Sequence, residues 1–187
     1  MNEKFQSVKS SQVILKELMV PAYANFGGKV HGGIILSLMD KIAYTCAASH
    51  AKRYCVTASV DSVNFLNPVE VGELLTLYAS VNYVGRSSME VGIRVESEDF
   101  RQGVCKHTNT SYFSMVALDE ATRAPVSVAG LVLQSENEIR RFIQGKYRKQ
   151  AKRQHSEAFR KLRDTLDFTA ESQKLAKENC MIKFPKD

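Results

Sequence analysis

The sequence has few of the features that mark membrane or exported proteins. No apolar stretch approaches the roughly 20 residues that span a bilayer, and residues 1–12 are polar, without the apolar core of a secretory signal. Tryptophan is absent and there are only four prolines, so little interrupts long helices and strands. We therefore expect neither membrane association nor export.

Cysteines are few and scattered. The four, none of them in a C-x-x-C pair, are Cys46, Cys55, Cys105 and Cys180. This spacing is unlike a zinc site or a disulfide-stapled secreted fold, and it is typical of free thiols in a reducing cytoplasm. The motifs H-E-x-x-H and G-x-S-x-G are also absent, so we expect neither a catalytic metal nor a serine hydrolase.

The net charge of +6 is concentrated in one segment. Residues 136–187 hold 14 Lys/Arg and 8 Asp/Glu, whereas the positive and negative charges of residues 1–135 cancel. A basic segment can meet phosphate, nucleic acid or an acidic partner surface, and it can equally be a solvated helical face. The segment lacks the interleaved aromatic residues of a nucleic-acid pattern, so we do not expect nucleic acid as a partner.

Hydrophobic periodicity predicts one helix followed by an antiparallel sheet. Residues 12–20 favour a strand that ends at a proline, and residues 33–52 carry apolar side chains at helical spacing. From residue 54 to residue 118 the period changes to two, which predicts four strands, with turns at 85–88 and 98–103. A single helix against one face of such a sheet is an α+β architecture.

The C-terminal third is expected to be an extension. We assign residues 1–124 to the main domain and residues 125–187 to a linker and a basic helical extension. Ser135 is placed to cap a helix, and residues 154–156 are expected to separate that helix from a second one. The apolar stripes here are too narrow for an independent core, so we expect the extension to pack on the main domain or on a partner.

The segment from His31 to Asp40 combines two glycines at a helix mouth with one acid two turns further on. Unpaired N–H groups and the positive dipole end at a helix start can hold a developing oxyanion. A carboxylate among apolar residues is costly, and its partial burial would suit it to act as a base. The alternative is an ordinary Gly-Gly turn before a helix whose acid faces solvent.

Several motifs follow one another in a fixed order. They are Asn25, His31-Gly32-Gly33, Asp40, Val56-Thr57, Val60-Asp61, Asn64-Phe65, Asn67-Pro68-Val69-Glu70-Val71-Gly72-Glu73 and Gly85-Arg86-Ser87-Ser88-Met89-Glu90-Val91. Over residues 12–120 this pattern resembles the hotdog-fold acyl-CoA thioesterases, in the bacterial and brain-type acyl-CoA hydrolase branch. Cys55 and Ser87 depart mildly from that family, which often has an apolar residue and a threonine there.

The resemblance implies a fold, an assembly and a site. A long central helix would be wrapped by an antiparallel sheet in a homodimer, and three dimers would form a hexamer with active sites at the dimer interfaces. The family's catalytic asparagine falls on Asn25 and its acid on Asp40, contributed by opposite protomers, and its threonine falls on Thr57. The oxyanion donors fall on the backbone around Gly32 and Gly33.

These residue types suit thioester hydrolysis. Asp40 would activate water or attack directly, Thr57 would hold Asp40 or a water, and the Asn25 amide would orient water or bind the thioester oxygen. Acyl-CoA hydrolysis to a carboxylate and free CoA is therefore the expected function. The alternatives are a non-catalytic acyl-CoA-binding regulator and an acyl-carrier-protein thioesterase.

Coenzyme A would enter as part of the substrate, and no separate cofactor is expected. The candidate contacts for its phosphates are His31, Lys52, Arg53, Arg86, Ser87 and Ser88. Lys52 and Arg53 can equally be favourable charges at the helix C-terminus, and His31 can equally hydrogen-bond within its own turn. Some members of the family bind a regulatory guanine nucleotide between protomers, and no motif here decides that point.

Overall fold

A computed structural model describes residues 4–184 and confirms the α+β class. The strands are β1 (Phe5–Ser7), β2 (Val13–Leu18), β3 (Tyr54–Val60), β4 (Leu74–Val84), β5 (Ser88–Asp99), β6 (Val104–Leu118) and β7 (Gly130–Val132). The α-helices are α1 (Gly32–Ala51), α2 (Glu136–Asp164) and α3 (Phe168–Lys174). Short 3-10 helices lie at Val8–Ser11, Pro21–Tyr23 and Leu175–Lys177.

Five antiparallel strands form the main sheet, in the order β2-β4-β5-β6-β3. Alternation along each strand sends one set of side chains towards α1 and the other set away from it. The side chains on the inner face are apolar and buried, as Leu77, Val91 and Phe113 illustrate. Strand β3 lies at the sheet edge, so its outer side has no strand paired to it within residues 4–184.

Helix α1 buries one side and exposes the other. Its buried residues recur every three or four positions and include Met39, Ala43 and Ala47, whose small or flexible side chains let the helix approach the sheet closely. The row at Leu36, Asp40 and Tyr44 runs along the exposed side. The helix therefore carries Asp40 away from the core.

The segment expected to be a linker is fastened to the sheet. Val126 N–H donates to Ala117 O at 3.0 Å, and Val128 N–H donates to Arg86 O at 2.9 Å. Strand β7 then pairs in parallel with β1 in a small second sheet. The pairing depends on residues more than a hundred positions apart, so no local pattern announces it.

The chain divides into two compact units between Gly145 and Lys146. In the second unit α2 continues unbroken to Asp164, and the break expected at residues 154–156 is wrong. No glycine or proline lies between Lys146 and Asp164, and polar residues alone do not end a helix. Among residues 4–184 no helix is both long and apolar enough to cross a bilayer.

Candidate active site

The start of α1 is capped by a histidine. Nδ1 of His31 accepts a hydrogen bond from Gly33 N–H at 2.9 Å, and His31 O accepts one from Ile34 N–H at 2.9 Å. The sequence predicts that the backbone N–H groups of both Gly32 and Gly33 can bind an oxyanion. The N–H of Gly33 is already used by this cap. Gly32 N–H has no hydrogen-bond partner among the described residues, so it alone is available to a ligand oxygen.

Neighbouring side chains lie close to the space where a Cβ would be at Gly32 and Gly33. A Cβ at Gly33 would lie 3.0 Å from His31 Nδ1, so the missing side chain lets the imidazole reach the backbone N–H. A Cβ at Gly32 would lie 3.4 Å from the ring of Phe65, which sits against the helix mouth. Phe65 belongs to the motif order but was not among the candidate site residues, because the sequence does not show that its ring reaches the helix mouth.

Thr57 and Asp40 are brought together by the packing of β3 on α1. The Thr57 hydroxyl donates to Asp40 Oδ1 at 2.6 Å and lies 3.5 Å from Met115 Sδ. The register of β3 against β6 shifts between Thr57 and Ser59, and such bulges re-aim the neighbouring side chains. Asp40 is exposed, so the partial burial expected for it is wrong within a single protomer.

A cleft of about 520 Å³ surrounds this pair. Tyr44 and Tyr54 contribute aromatic walls, with ring centroids 6.3 Å apart, and the Arg123 guanidinium lies 5.1 Å from the centroid of the Tyr54 ring. Tyr44 could have been found from the sequence, since it follows Asp40 by one helical turn. Tyr54 and Arg123 depend on strand register and on a distant turn, which periodicity does not reveal.

Asn25 is held in a compact turn. Its Oδ1 accepts hydrogen bonds from Gly27 N–H at 2.8 Å and Lys29 N–H at 3.2 Å, and its own N–H donates to Lys29 O at 2.7 Å. Gly28 makes the turn possible with φ of +77°. The side-chain oxygen is thus committed to the turn, whereas the NH₂ group has no partner among residues 4–184 and can donate outward.

The structure does not join the two halves of the expected catalytic pair within one protomer. Asn25 lies in the turn before α1, Asp40 lies on the exposed side of α1, and their side chains share no hydrogen bond in the described part of the chain. Asp40 and Thr57 therefore lie together, and Asn25, whose NH₂ group has no partner among residues 4–184, does not join them within one protomer.

The β4–β5 hairpin lies at the same end of the sheet as Thr57. Across three adjacent strands Val56, Val116 and Ser88 lie in one row, so Ser88 is about 10 Å from β3 at ordinary strand spacing. The turn is closed by Gly85 N–H donating to Ser88 O at 2.7 Å. Arg86 is exposed and has no ion pair within residues 4–184.

Lys52 and Arg53 follow the other end of α1. Lys52 adopts the left-handed C-cap conformation with φ of 52°, and its N–H donates to Ala48 O at 2.8 Å. Hydrogen bonds from Thr122 lower the pKa of Asp119, and the positive charge of Arg53 contributes to that shift. Arg53 therefore has an acidic neighbour in its own chain. This favours a structural role for Arg53 over a contact with the phosphates of coenzyme A.

The cysteines near this region are not nucleophiles. All four are free thiols, and Cys46 and Cys55 are buried. Burial raises the pKa of Cys46 to about 12 and that of Cys55 to about 11, so both stay protonated at neutral pH. Among residues 4–184 no three His, Cys, Asp or Glu side chains cluster in a way that could hold a metal ion.

Comparison with known proteins identifies the family to which this chain is similar. A model described as Thioesterase superfamily matches residues 27–104. Protein VdlD of Helicobacter pylori is 44% identical over 132 residues, which cover 71% of this chain and 75% of VdlD. A hexameric acyl-CoA thioesterase solved in its apo form is 35% identical, with a TM-score of 0.79 over 82% of this chain and 98% of its own.

The acyl-CoA hydrolase of Staphylococcus aureus is also similar. It was solved in complex with butyryl coenzyme A, coenzyme A and coenzyme A disulfide; it is 30% identical, with a TM-score of 0.75 over 86% of this chain and 99% of its own. Variants of that hydrolase were solved with an asparagine, an aspartate or a threonine replaced by alanine. Those three positions are separated by the same numbers of residues as Asn25, Asp40 and Thr57.

The chain therefore belongs to the thioesterase superfamily, in the group of hotdog-fold acyl-CoA thioesterases. The hotdog architecture expected from the motif order is confirmed, with α1 as the long helix and the five-stranded sheet around it.

Proposed function

We propose that the protein hydrolyses acyl-CoA thioesters to a carboxylic acid and free CoA. The observation that carries this proposal is the Asp40 carboxylate, held by the Thr57 hydroxyl at 2.6 Å in an open cleft. An acyl-binding regulator would have no need for a carboxylate fixed in this way.

The proposed chemistry uses groups that the chain itself supplies. Asp40 takes a proton from water as the water oxygen adds to the thioester carbonyl carbon, and the Gly32 N–H of a second protomer, on the same side of the site as its Asn25, stabilises the charge that develops on the carbonyl oxygen. The carbon–sulfur bond then breaks, and the proton passes to the CoA thiolate. Direct attack by Asp40 would give a mixed anhydride that water cleaves to the same products. No step requires a separate cofactor.

The proposal completes the site with a second protomer. The free outer side of β3 lies beside Asp40 and Thr57, so a second copy joined at this edge would bring another chain to the cleft. That copy would contribute the Asn25 amide, and its surface would cover the exposed side of Asp40. A hexamer built from such dimers is supported by the hexameric thioesterase that the chain resembles.

We assign the CoA phosphates to the hairpin. Arg86 is exposed and unpaired within the described residues, and Ser87 and Ser88 sit at the same end of the sheet as Thr57. The matching spacing of the substituted asparagine, aspartate and threonine in the Staphylococcus aureus hydrolase supports Asn25, Asp40 and Thr57 as the reacting set. The free thiols support a cytoplasmic location.

Release of free thiol from a panel of acyl-CoAs tests the proposal. The parent protein should hydrolyse at least one of them, and Asp40→Ala should lower kcat by about 10²–10⁴-fold, which is the usual contribution of a general base. Asn25→Ala should also lower kcat, because it removes the donor that faces the substrate.

Asp164→Ala and Asn179→Ala are matched controls on exposed tail positions and should keep the parental rate. Binding of acyl-CoA without any hydrolysis by the parent would instead favour the regulator. Full activity of folded Asp40→Ala would remove Asp40 from the mechanism.

A further inference from the structure

A second cleft, of about 730 Å³, lies on the face of the main sheet that points away from α1. Side chains of β2, β4, β5 and β6 line it, together with residues before β2 and in the first turns of α2. Its volume falls in the range of small-molecule sites. None of the residues assigned to thioester hydrolysis lines it.

Three adjacent strands contribute residues in register to the floor of this cleft. Gly92 on β5 lies between Ser80 on β4 and Tyr112 on β6, so a side chain is missing at the centre of three strands. A Cβ at Gly92 would collide with the Asn82 side-chain amide. Glycine at this position therefore leaves room for the amide beside β5.

Asn82 presents a side-chain donor to the cleft. Its side chain is only 6% exposed, and its Oδ1 accepts a hydrogen bond from Ser80 Oγ at 2.9 Å. The NH₂ group lines the cleft and has no hydrogen-bond partner among residues 4–184. This donor faces the cleft and can meet an acceptor on a ligand.

The walls of the cleft are strongly cationic. Four basic side chains line it: Lys9, Arg94, Arg140 and Arg141. Among the lining residues in the described part of the chain the one carboxylate is Glu96, which pairs with Arg94 at 2.7 Å. Arg140 donates to the neutral Asn137 side chain at 2.6 Å, and within residues 4–184 no ion pair joins a carboxylate to Lys9, Arg140 or Arg141.

We propose that this cleft binds a phosphate-bearing ligand. The Asn82 NH₂ group and the guanidinium groups of Arg140 and Arg141 would hold the phosphate oxygens, since guanidinium and amide donors match that geometry. Tyr78 and Tyr112 offer aromatic surfaces on either side of Arg94 and Gly92 for an attached organic group. The phosphate belongs either to a separate phosphorylated molecule or to CoA, and the second source would replace the hairpin as the binding site of the CoA phosphates.

Titration calorimetry with inorganic pyrophosphate tests the site on the full chain. The parent should bind pyrophosphate saturably, and Asn82→Asp should weaken binding at least tenfold, because it replaces a donor that faces the cleft by a carboxylate. The double variant Arg140→Gln/Arg141→Gln should weaken binding by a similar factor and leaves the buried floor intact, so it tests the proposal even if Asn82→Asp fails to fold.

The matched control is Lys16→Gln/Arg101→Gln, which removes two exposed charges from positions outside the cleft and should bind like the parent. Asp40→Ala should also bind pyrophosphate normally, so this result is independent of the proposed hydrolysis. The site is refuted if the folded parent shows no saturable binding, or if the arginine double variant and its control bind equally well.

Titration with CoA then identifies the source of the phosphate. If the arginine double variant weakens CoA binding and CoA competes with pyrophosphate, the cleft holds the nucleotide end of the substrate. If pyrophosphate binding is lost and CoA binding is unchanged, the cleft serves a separate phosphorylated ligand. Both results retain the site.

Discussion

Thr57 and Asp40 are the pair of residues on which the proposed chemistry depends. One lies on an edge strand and the other on the exposed side of a helix, and the 2.6 Å hydrogen bond between them fixes the rotamer of the carboxylate. A side chain held in this way loses little conformational freedom when substrate arrives. The pair is therefore the rigid part of a cleft that is otherwise open.

Thr57→Val should lower kcat by about 10–100-fold, because hydrogen bonds to charged acceptors are worth about 1.5–3 kcal/mol. Valine keeps the shape of threonine and removes only the hydroxyl. Steady-state thiol release should show the loss in kcat with KM little changed.

Thr45→Val is the matched control. Thr45 lines the same cleft, but its hydroxyl donates to Lys41 O of its own helix at 2.9 Å. Parental kcat in Thr57→Val, or an equal loss in Thr45→Val, would show that the hydroxyl does not act through Asp40.

At the residue scale the sequence indicates which residues are candidates for the site, but not the environment in which each side chain lies. The motif order indicates Asn25, Asp40 and Thr57 and the interaction between the last two. The exposure of Asp40 could not be predicted, because it depends on which side of α1 the sheet covers. The capping of Gly33 by His31 was only one of two interpretations until the backbone geometry showed the 2.9 Å hydrogen bond.

Helix α1 is anchored differently at its two ends. At its start the His31 ring caps the backbone, and near its end His50 is fully buried, with Nε2 lying 2.9 Å from Ala129 O. Gln6 Nε2 also donates to His50 O at 3.1 Å. His50 thus links the helix to the segment that the sequence suggested was a free linker, and its Nδ1 has no partner among the described residues.

Burial lowers the pKa of His50 below its ordinary 6.5; the charge of Lys52 adds to the effect and the hydrogen bond to Ala129 opposes it. The unfolded chain therefore binds this proton at a higher pH than the folded chain. The stability due to neutral His50 is fully present above pH 6.5 and is lost as the pH falls towards the lowered pKa.

Urea unfolding between pH 8 and pH 5 should show this loss in the parent protein. His50→Gln keeps a donor for Ala129 O but does not titrate, so its midpoint should fall less than that of the parent over this range. His155→Gln, at an exposed histidine of α2, should follow the parent. Parallel curves for the parent and His50→Gln would contradict a lowered pKa at this position.

At the scale of elements, periodicity predicts α1 and the strands of the main sheet to within a few residues. Periodicity does not predict very short elements, and it wrongly predicts the end of a helix where several polar residues follow one another. Strand β7 has three residues and exists because β1 pairs with it. The polar residues 154–156 suggest an interruption, but the helix continues through them because backbone hydrogen bonding needs no apolar side chains.

In the proposed site a single protomer holds two incomplete halves, and this is the central property of the whole molecule. Neither the motif order nor the fold of one chain can show the assembly directly, because the completing residue would belong to another copy. What the chain does show is an unpaired edge at β3 beside the Asp40 cleft, and an Asn25 amide without a partner among residues 4–184.

Mixing Asn25→Ala with Asp40→Ala should therefore restore activity. In a randomly exchanged mixture half of the dimers are hybrids, and each hybrid has one intact site, so about a quarter of the parental activity should return. Thiol release is measured after subunit exchange has been demonstrated with differently tagged copies. Exchange without recovery would contradict a site shared between protomers.

The sequence of β3 bears on solubility as well as on catalysis. Its seven residues, from Tyr54 to Val60, contain no charge, no proline and no glycine. Edge strands that remain open are usually protected by one of these residues, and unprotected segments of this composition tend towards cross-β aggregation. The composition of β3 is thus that of a strand kept covered, so pairing between protomers would safeguard the chain against fibril formation before any substrate is bound.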